Sequence, residues 1–220
     1  MEPSDSETDM DNSELFNELV TLPHVWAMQA MHLRRASDYL YGTCKAAWER
    51  AISREIQAAL SGPQEVSASA DTLSIESEDG KDVDMVPVVY MLVGLSLETI
   101  CKAILVGRNE FRVSTTGKVE GAKTHNLKTL FLQCGIAVDA PESDILLKLT
   151  SYIQWMGKYP VPLDQKDMRP PKIEADWMPT GNFDVRENMK ATADVLFDRA
   201  RSVFLTEEYG RPGVSHPAFT

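Results

Sequence analysis

The sequence has few cysteines, and their arrangement indicates neither a metal site nor a disulfide framework. Cys44, Cys101 and Cys134 are odd in number and far apart, and none of the four histidines lies at ligand spacing from them. Such cysteine usage is typical of a protein kept in a reducing compartment. We therefore expect a cytoplasmic protein, and we predict neither a metal ion nor another cofactor.

Targeting and membrane segments are also lacking. The first residues are acidic and polar, whereas a signal peptide begins with a basic and then an apolar region. One apolar run of nearly membrane-span length covers 88–106, but Glu98 and Lys102 lie well inside it. Each charge would cost roughly 2.5–3.5 kcal/mol at the centre of a bilayer. We expect this run to be a buried core helix, with no membrane association.

Positive charge is scarce, and this limits the classes of partner. The formal net charge is −11 at pH 7, and the sequence pI is ≈ 4.8. Two stretches carry this excess, because residues 1–15 hold six acids and no base, and residues 61–86 hold seven acids and one lysine. The rest of the chain is close to neutral. This charge argues against a general nucleic-acid coat protein, which presents a basic domain, but it does not exclude a local basic site.

Low complexity and missing apolar periodicity set the borders of the expected domain. Residues 1–20 are predicted to be an acidic disordered tail, about 61–86 a flexible acidic insert, and 210–220 a frayed tail. The acidic tail either keeps the protein soluble or covers a basic face of its own domain. One domain is expected over 21–209.

Apolar residues recur every three to four positions through that domain, and no alternation typical of strands is convincing. The pattern predicts helical stretches between Pro23 and Gly62, Pro87 and Gly107, Thr124 and Gln133, Ser143 and Gly157, and Asp184 and Tyr209. Thr124 is the expected N-cap of the third stretch. The loop 108–123 is compatible with a short hairpin. Five or six helices without convincing strands predict an all-α bundle.

Glu98 and Lys102 are the charged residues of the apolar central helix. They stand four residues apart, in the order that favours a helical ion pair. A structural pair at the wet edge of the core is the preferred interpretation, because such pairs usually belong to a solvent-facing stripe. Participation in a ligand site is the alternative.

His125 opens a predicted short helix, where an imidazole can titrate near neutrality and unpaired N–H groups attract anions such as phosphate. A histidine that only packs and caps is the alternative. Lysine and arginine exceed glutamate by three between residues 108 and 128, and basic residues also exceed acidic ones by three between residues 34 and 54. The sequence leaves open whether the two runs converge. The predicted ligand- or phosphate-binding side chains are Arg108, Arg112, Lys123, His125, Lys128 and Lys158.

The stretch from Val88 to Leu132 resembles the core of the HEPN family of small α-helical domains. In that family a helix bearing Glu and Lys is followed by a His-Asp-Leu or His-Asn-Leu turn, which corresponds here to Glu98, Lys102 and 125–127. Family members often have Arg-Tyr-Pro where this chain has Lys158, Tyr and Pro, and lysine lacks the flat fork of arginine. The resemblance implies a HEPN-like bundle of five or six helices from a prokaryotic cytosol, present as a homodimer.

The HEPN family contains ribonucleases, nucleotide-binding modules and inactive partners. Its ribonucleases carry an Arg, four to six further residues and a His on one helix, and they cleave RNA without metal. Arg211 and His216 are the single match to this spacing, but Pro212 and Gly213 disfavour a helix there. The resemblance therefore favours a nucleotide- or RNA-associated binding or regulatory module without nuclease activity.

Many HEPN proteins act beside a nucleotidyltransferase, in toxin–antitoxin or anti-phage systems, and the resemblance implies that context here. Two alternatives remain. One is a metal-independent endoribonuclease that uses either Arg211 and His216 or His125. The other is a structural protein-interaction module without a ligand site.

Overall fold

The structure is a computed structural model that describes residues 12–60, 80–82, 85–114, 119–121, 123–156 and 183–210. Of these described residues, 83% are helical. The helices are α1 (Asn12–Thr21), α2 (Pro23–Leu60), α3 (Val86–Gly107), α4 (Leu127–Gln133), α5 (Ala140–Ser151) with a π-helical turn at Tyr152–Met156, and α6 (Phe183–Tyr209). The expected all-α class is confirmed.

The predicted hairpin is the one sheet among the described residues. Its strands are β1 (Arg112–Val113) and β2 (Val119–Glu120), which pair antiparallel with Arg112 opposite Glu120. They lie between α3 and α4 and so precede the turn that carries His125.

The core surrounds α3, which packs against α2, α4, α5 and α6. Fifteen of its 22 residues are buried, as is typical of a helix enclosed by others. Pro87 lies in its first turn, where the missing N–H costs no hydrogen bond. Among the described residues this is the one helix long and apolar enough to cross a membrane, and 72% of its most apolar window is buried inside the protein. It is therefore the core of this bundle.

α2 is a single 38-residue helix that runs antiparallel to α3. Beyond the C-terminal end of α3, the Trp26 ring packs against Phe111, with 5.8 Å between ring centroids. Before the N-terminal end of α3, the carbonyl of Asp82 accepts from the Cys44 thiol of α2, 3.0 Å away. These contacts at opposite ends of α3 fix the relative direction of the two helices.

The apolar periodicity of α2 continues through Ile52, Ile56 and Leu60, but the buried face of the helix ends earlier. Ala51 is fully buried, but Ile52, Ile56 and Leu60 are 38%, 54% and 82% exposed. Cys44 contacts Asp82, which precedes α3 in the chain. The last turns of α2 therefore extend past the first residue of α3. The burial of these residues depends on where the partner helix begins. The apolar pattern of α2 alone does not give that position.

The structure corrects the inner border of the predicted N-terminal tail. Residues 12–20, expected to be disordered, belong to α1. The indole N–H of Trp26 donates to the carbonyl of Val20 at 2.9 Å, and α1 also contacts α2 and β1. Half-exposed Leu15, Phe16 and Leu19 give this short helix an apolar side. Residues 1–11 and 211–220, and most of the predicted insert, lie outside the described residues.

An ion cluster joins α2 to α6. Arg34 pairs with Asp38 at 3.1 Å and with Asp194 of α6 at 2.7 Å, and Lys190 contacts both carboxylates at 2.5 and 2.7 Å. The Arg34 guanidinium also lies 5.2 Å from the centre of the Phe197 ring. Arg34, the first residue of the basic run between residues 34 and 54, therefore lies at the interface of α2 and α6.

Candidate functional site

Glu98 is the centre of a three-residue cluster that also contains Lys102 and His125. Lys102 Nζ donates to Glu98 Oε1 at 2.5 Å, and His125 Nδ1 lies 3.1 and 3.0 Å from the two carboxylate oxygens. The side chains of Glu98 and Lys102 are 6% and 7% exposed, whereas that of His125 is 52% exposed. The ion pair is thus buried, contrary to the expected solvent-facing stripe, and it reaches solvent through His125.

The electrostatics of this cluster fix the orientation of the imidazole. A buried carboxylate is costly unless it is paired, and here the positive charge of Lys102 balances Glu98. An ionised carboxylate can only accept hydrogen bonds, so His125 Nδ1 must carry the proton of this contact. Nε2 lies on the opposite side of the ring, away from Glu98. The cluster therefore leaves Nε2 as the ring nitrogen that Glu98 does not engage, in a side chain that is half-exposed.

The turn before α4 has a different cap from the one predicted. Asn126 is the N-cap, because its side chain accepts from the backbone N–H of Thr129 at 3.0 Å. Thr124 lies outside the helix, and its hydroxyl accepts from the N–H of Asn126 at 3.1 Å. Both residue types favour N-caps, and only the backbone geometry decides between them.

The backbone donors of this turn are used within the protein. The N–H of Leu127 donates to Thr150 Oγ1 at 3.1 Å, and those of Asn126 and Thr129 also bond to side chains. The sequence predicted that unpaired N–H groups would attract an anion here, but these three N–H groups are already hydrogen-bonded within the protein. Binding at this place has to rely on side chains.

Thr150 is a positioning residue that the sequence did not reveal. It is buried on α5, accepts from Leu127 and donates to the carbonyl of Leu146 at 2.8 Å. It therefore ties the first residue of α4 to α5, while Glu98 holds the ring of His125 from α3. A lone threonine 23 residues away carries no sequence signal for this role.

Cys101, which lies between Glu98 and Lys102 in the chain, is a buried cysteine. Burial, more than any other effect, raises the pKa of the Cys101 thiol well above its ordinary value, and neighbouring Cys134 and Glu98 add to the rise. The Cys134 thiol donates to the Cys101 carbonyl at 3.4 Å. Because the reactive form of cysteine is the thiolate, the raised pKa disfavours the reactive form of Cys101.

Two of the predicted phosphate-binding lysines stay close to His125 in the chain. Lys123, two residues before it, is exposed, and Lys128, three residues after it, is partly buried in the first turn of α4. The backbone of Arg112 lies in β1, but its side chain is outside the described set. Lys158, Arg211 and His216 also lie outside the described residues.

Arg108 is placed elsewhere. It pairs with Glu207 of α6 through two hydrogen bonds of 2.9 and 2.6 Å, and it donates to the carbonyls of Gln133 and Cys134 at 3.1 and 2.9 Å. The hydrogen bond to Glu207 raises the pKa of Arg108. Ten residues along α3 separate it from Glu98, which is about 15 Å of helix axis. The structure therefore uses Arg108 to join the ends of α3, α4 and α6.

No family model matches this chain, and neither the curated proteins nor the solved structures contain a match to it. Among the described residues, no group of three or more His, Cys, Asp or Glu side chains could hold a metal ion. The HEPN resemblance therefore stays a prediction, resting on Glu98, Lys102 and the 125–127 turn.

Proposed function

We propose that the protein is a HEPN-like module that binds a nucleotide or RNA at the His125 edge, the surface formed by Lys123, His125 and Lys128. The observation that carries the proposal is the half-exposed imidazole held by a buried, charge-balanced carboxylate. A buried ion pair is by itself weak evidence of a stabilising role. Here it fixes a ring in place at the surface, and a fixed side chain loses little entropy when a ligand binds.

Lys123 and Lys128 supply the charge that a phosphate-bearing ligand needs. They lie on either side of His125 in the chain, outside the two acidic stretches that dominate the net charge. Contacts between lysine and phosphate release counterions, so binding weakens as salt rises. The chain as a whole would repel a polyanion, and a local site of this kind gives weak, salt-sensitive binding.

In this proposal the module binds without cutting. The one Arg–His spacing typical of HEPN ribonucleases is Arg211–His216, in a stretch that contains Pro212 and Gly213. A site that performs chemistry is better built on rigid elements. A regulatory homodimer acting beside a nucleotidyltransferase, in a toxin–antitoxin or anti-phage system, is the context that the resemblance implies.

Fluorescence anisotropy with a labelled single-stranded RNA tests the proposal. Lys123→Glu and Lys128→Glu should each weaken binding and lower the slope of log affinity against log salt by about one, the value for one lost phosphate contact. Arg35→Glu is the matched control, since Arg35 is an exposed cation of the second basic run on α2.

The outcomes separate the alternatives. Equal weakening by Arg35→Glu would show that binding is not local to the His125 edge. Absence of RNA binding by the wild type at low salt would contradict the proposal and favour the protein-interaction module.

A further inference from the structure

We propose that His125 accepts a hydrogen bond from a ribose 2′-hydroxyl, so that the His125 edge prefers ribonucleotide chains to deoxyribonucleotide chains. This inference rests on the proposed function and names its ligand class. It follows from the protonation pattern that Glu98 and Lys102 impose on the ring.

The first step concerns the inner ring nitrogen. Nδ1 of His125 lies 3.0 and 3.1 Å from the oxygens of Glu98, and both contacts require a proton on Nδ1. Lys102 Nζ donates to the same carboxylate at 2.5 Å, so Glu98 needs no second positive charge from the imidazole. In a neutral ring with Nδ1 protonated, Nε2 is a hydrogen-bond acceptor.

The second step concerns what can meet this acceptor. Nε2 lies on the far side of the ring from Glu98, in a side chain that is 52% exposed. Ionised phosphate oxygens only accept hydrogen bonds, so a neutral Nε2 has nothing to offer them. A ribose hydroxyl both donates and accepts, and it suits this position.

The third step concerns the neighbouring cations. Lys123 precedes His125 by two residues and Lys128 follows it by three, which places phosphate-binding groups next to the acceptor in the chain. The 2′-hydroxyl and the 3′-phosphate are attached to neighbouring carbons of the same ribose. One ribonucleotide therefore supplies a donor and an anion side by side whatever its base, and DNA lacks the donor.

The test compares three labelled single strands of one sequence: RNA, DNA and 2′-O-methyl RNA, whose sugar oxygen carries no proton. Wild-type protein should bind RNA about fivefold more tightly than either other strand, roughly the effect of one neutral hydrogen bond. His125→Ala should bind all three alike. His32→Ala is the control, because His32 is an exposed histidine on α2, and it should keep the preference.

A second variant separates loss of the acceptor from loss of structure. His125→Asn places an amide N–H where Nδ1 lies, so it keeps a donor to Glu98. Its amide oxygen then takes the place of Cδ2, and no acceptor remains at the position of Nε2. It should fold like the wild type by circular dichroism and lose the RNA preference.

Each outcome decides a different point. Equal binding of RNA and DNA by the wild type would overturn this inference and leave the binding function standing. A preference that survives in both His125 variants would also overturn it. Failure of the wild type to bind any of the three strands would contradict the proposed function itself.

Discussion

At the scale of single residues, Glu142 ties α5 to two parts of the fold. It forms a capping box with Asp139, in which the Asp139 side chain accepts from the N–H of Glu142 at 2.8 Å and Glu142 accepts from the N–H of Asp139 at 3.1 Å. Arg199 of α6 donates to both of its carboxylate oxygens, at 2.7 and 3.0 Å. The hydrogen bond to Arg199 is the main cause that lowers the pKa of Glu142.

The sign of this pKa shift predicts acid sensitivity. A carboxylate whose pKa is lowered in the folded state adds stability above its unfolded pKa, about 4.3 for glutamate, and loses it as pH falls through the lower folded value. Glu142→Gln keeps a hydrogen-bond acceptor but has no charge to titrate. Urea unfolding should therefore show a steeper loss of unfolding free energy below about pH 5 in the wild type than in the variant. Parallel pH profiles would contradict this role of the ion pair.

Residue types and spacing indicated part of the candidate site. Glu98 and Lys102 stand out as charges in an apolar helix, and their spacing predicts the contact that the structure shows. The contact between Glu98 and His125 spans 27 residues, and no local pattern encodes it. The same holds for Arg108, whose charge suggested a ligand site but whose partner, Glu207, is 99 residues away.

At the scale of elements, the close approach of α3 to α5 and the π-helical turn depends on Gly94. A Cβ atom there would lie 2.8 Å from Ile153 Cγ1 and 3.2 Å from the carbonyl oxygen of Leu149. Glycine is thus kept inside α3, although it is a weaker helix former than alanine by about 1 kcal/mol.

Substitution of two helical glycines tests this packing. Gly94→Ala should lower the unfolding free energy by roughly 1–2 kcal/mol, since overpacking costs about 1–3 kcal/mol and exceeds the propensity gain. Gly42→Ala on α2 is the matched control, because a Cβ there meets nothing within 4 Å. It should raise the unfolding free energy by about 1 kcal/mol. Denaturant unfolding of both variants provides the measurement, and a stabilised Gly94→Ala would contradict the described packing.

Elements were easier to predict than their ends. The periodicity of α3 and α6 is strong. In α6, Ala193, Leu196, Ala200 and Phe204 recur every three to four residues, and all four are buried. The sequence analysis did not predict α1, because the acidic composition of residues 1–15 indicated disorder more strongly than Leu15, Phe16 and Leu19 indicated a helix. Its helix is held by a tertiary contact from Trp26, which composition does not contain.

For the protein as a whole, we expect RNA binding without RNA cleavage. Purified protein incubated with total RNA in EDTA should leave the RNA intact, because Arg211 and His216 lie beside Pro212 and Gly213, and deletion of 210–220 should leave RNA binding unchanged. Cleavage that disappears in the deletion and in His216→Ala would contradict this and assign the activity to that pair. Cleavage lost only in His125→Ala would make His125 an acid/base catalyst instead.

In the proposed complex, Glu98 holds the ring of His125 with Nδ1 protonated, and Nε2 accepts from the ligand. Long-range ¹H–¹⁵N NMR of the histidine rings measures this directly, with His24 and His32, both exposed on α2, as internal controls. We expect an Nδ1-protonated His125 whose Nε2 signal moves as single-stranded RNA is added, while the signals of the two controls stay in place. A proton on Nε2 instead of Nδ1, or an unchanged His125 ring at saturating RNA, would contradict it.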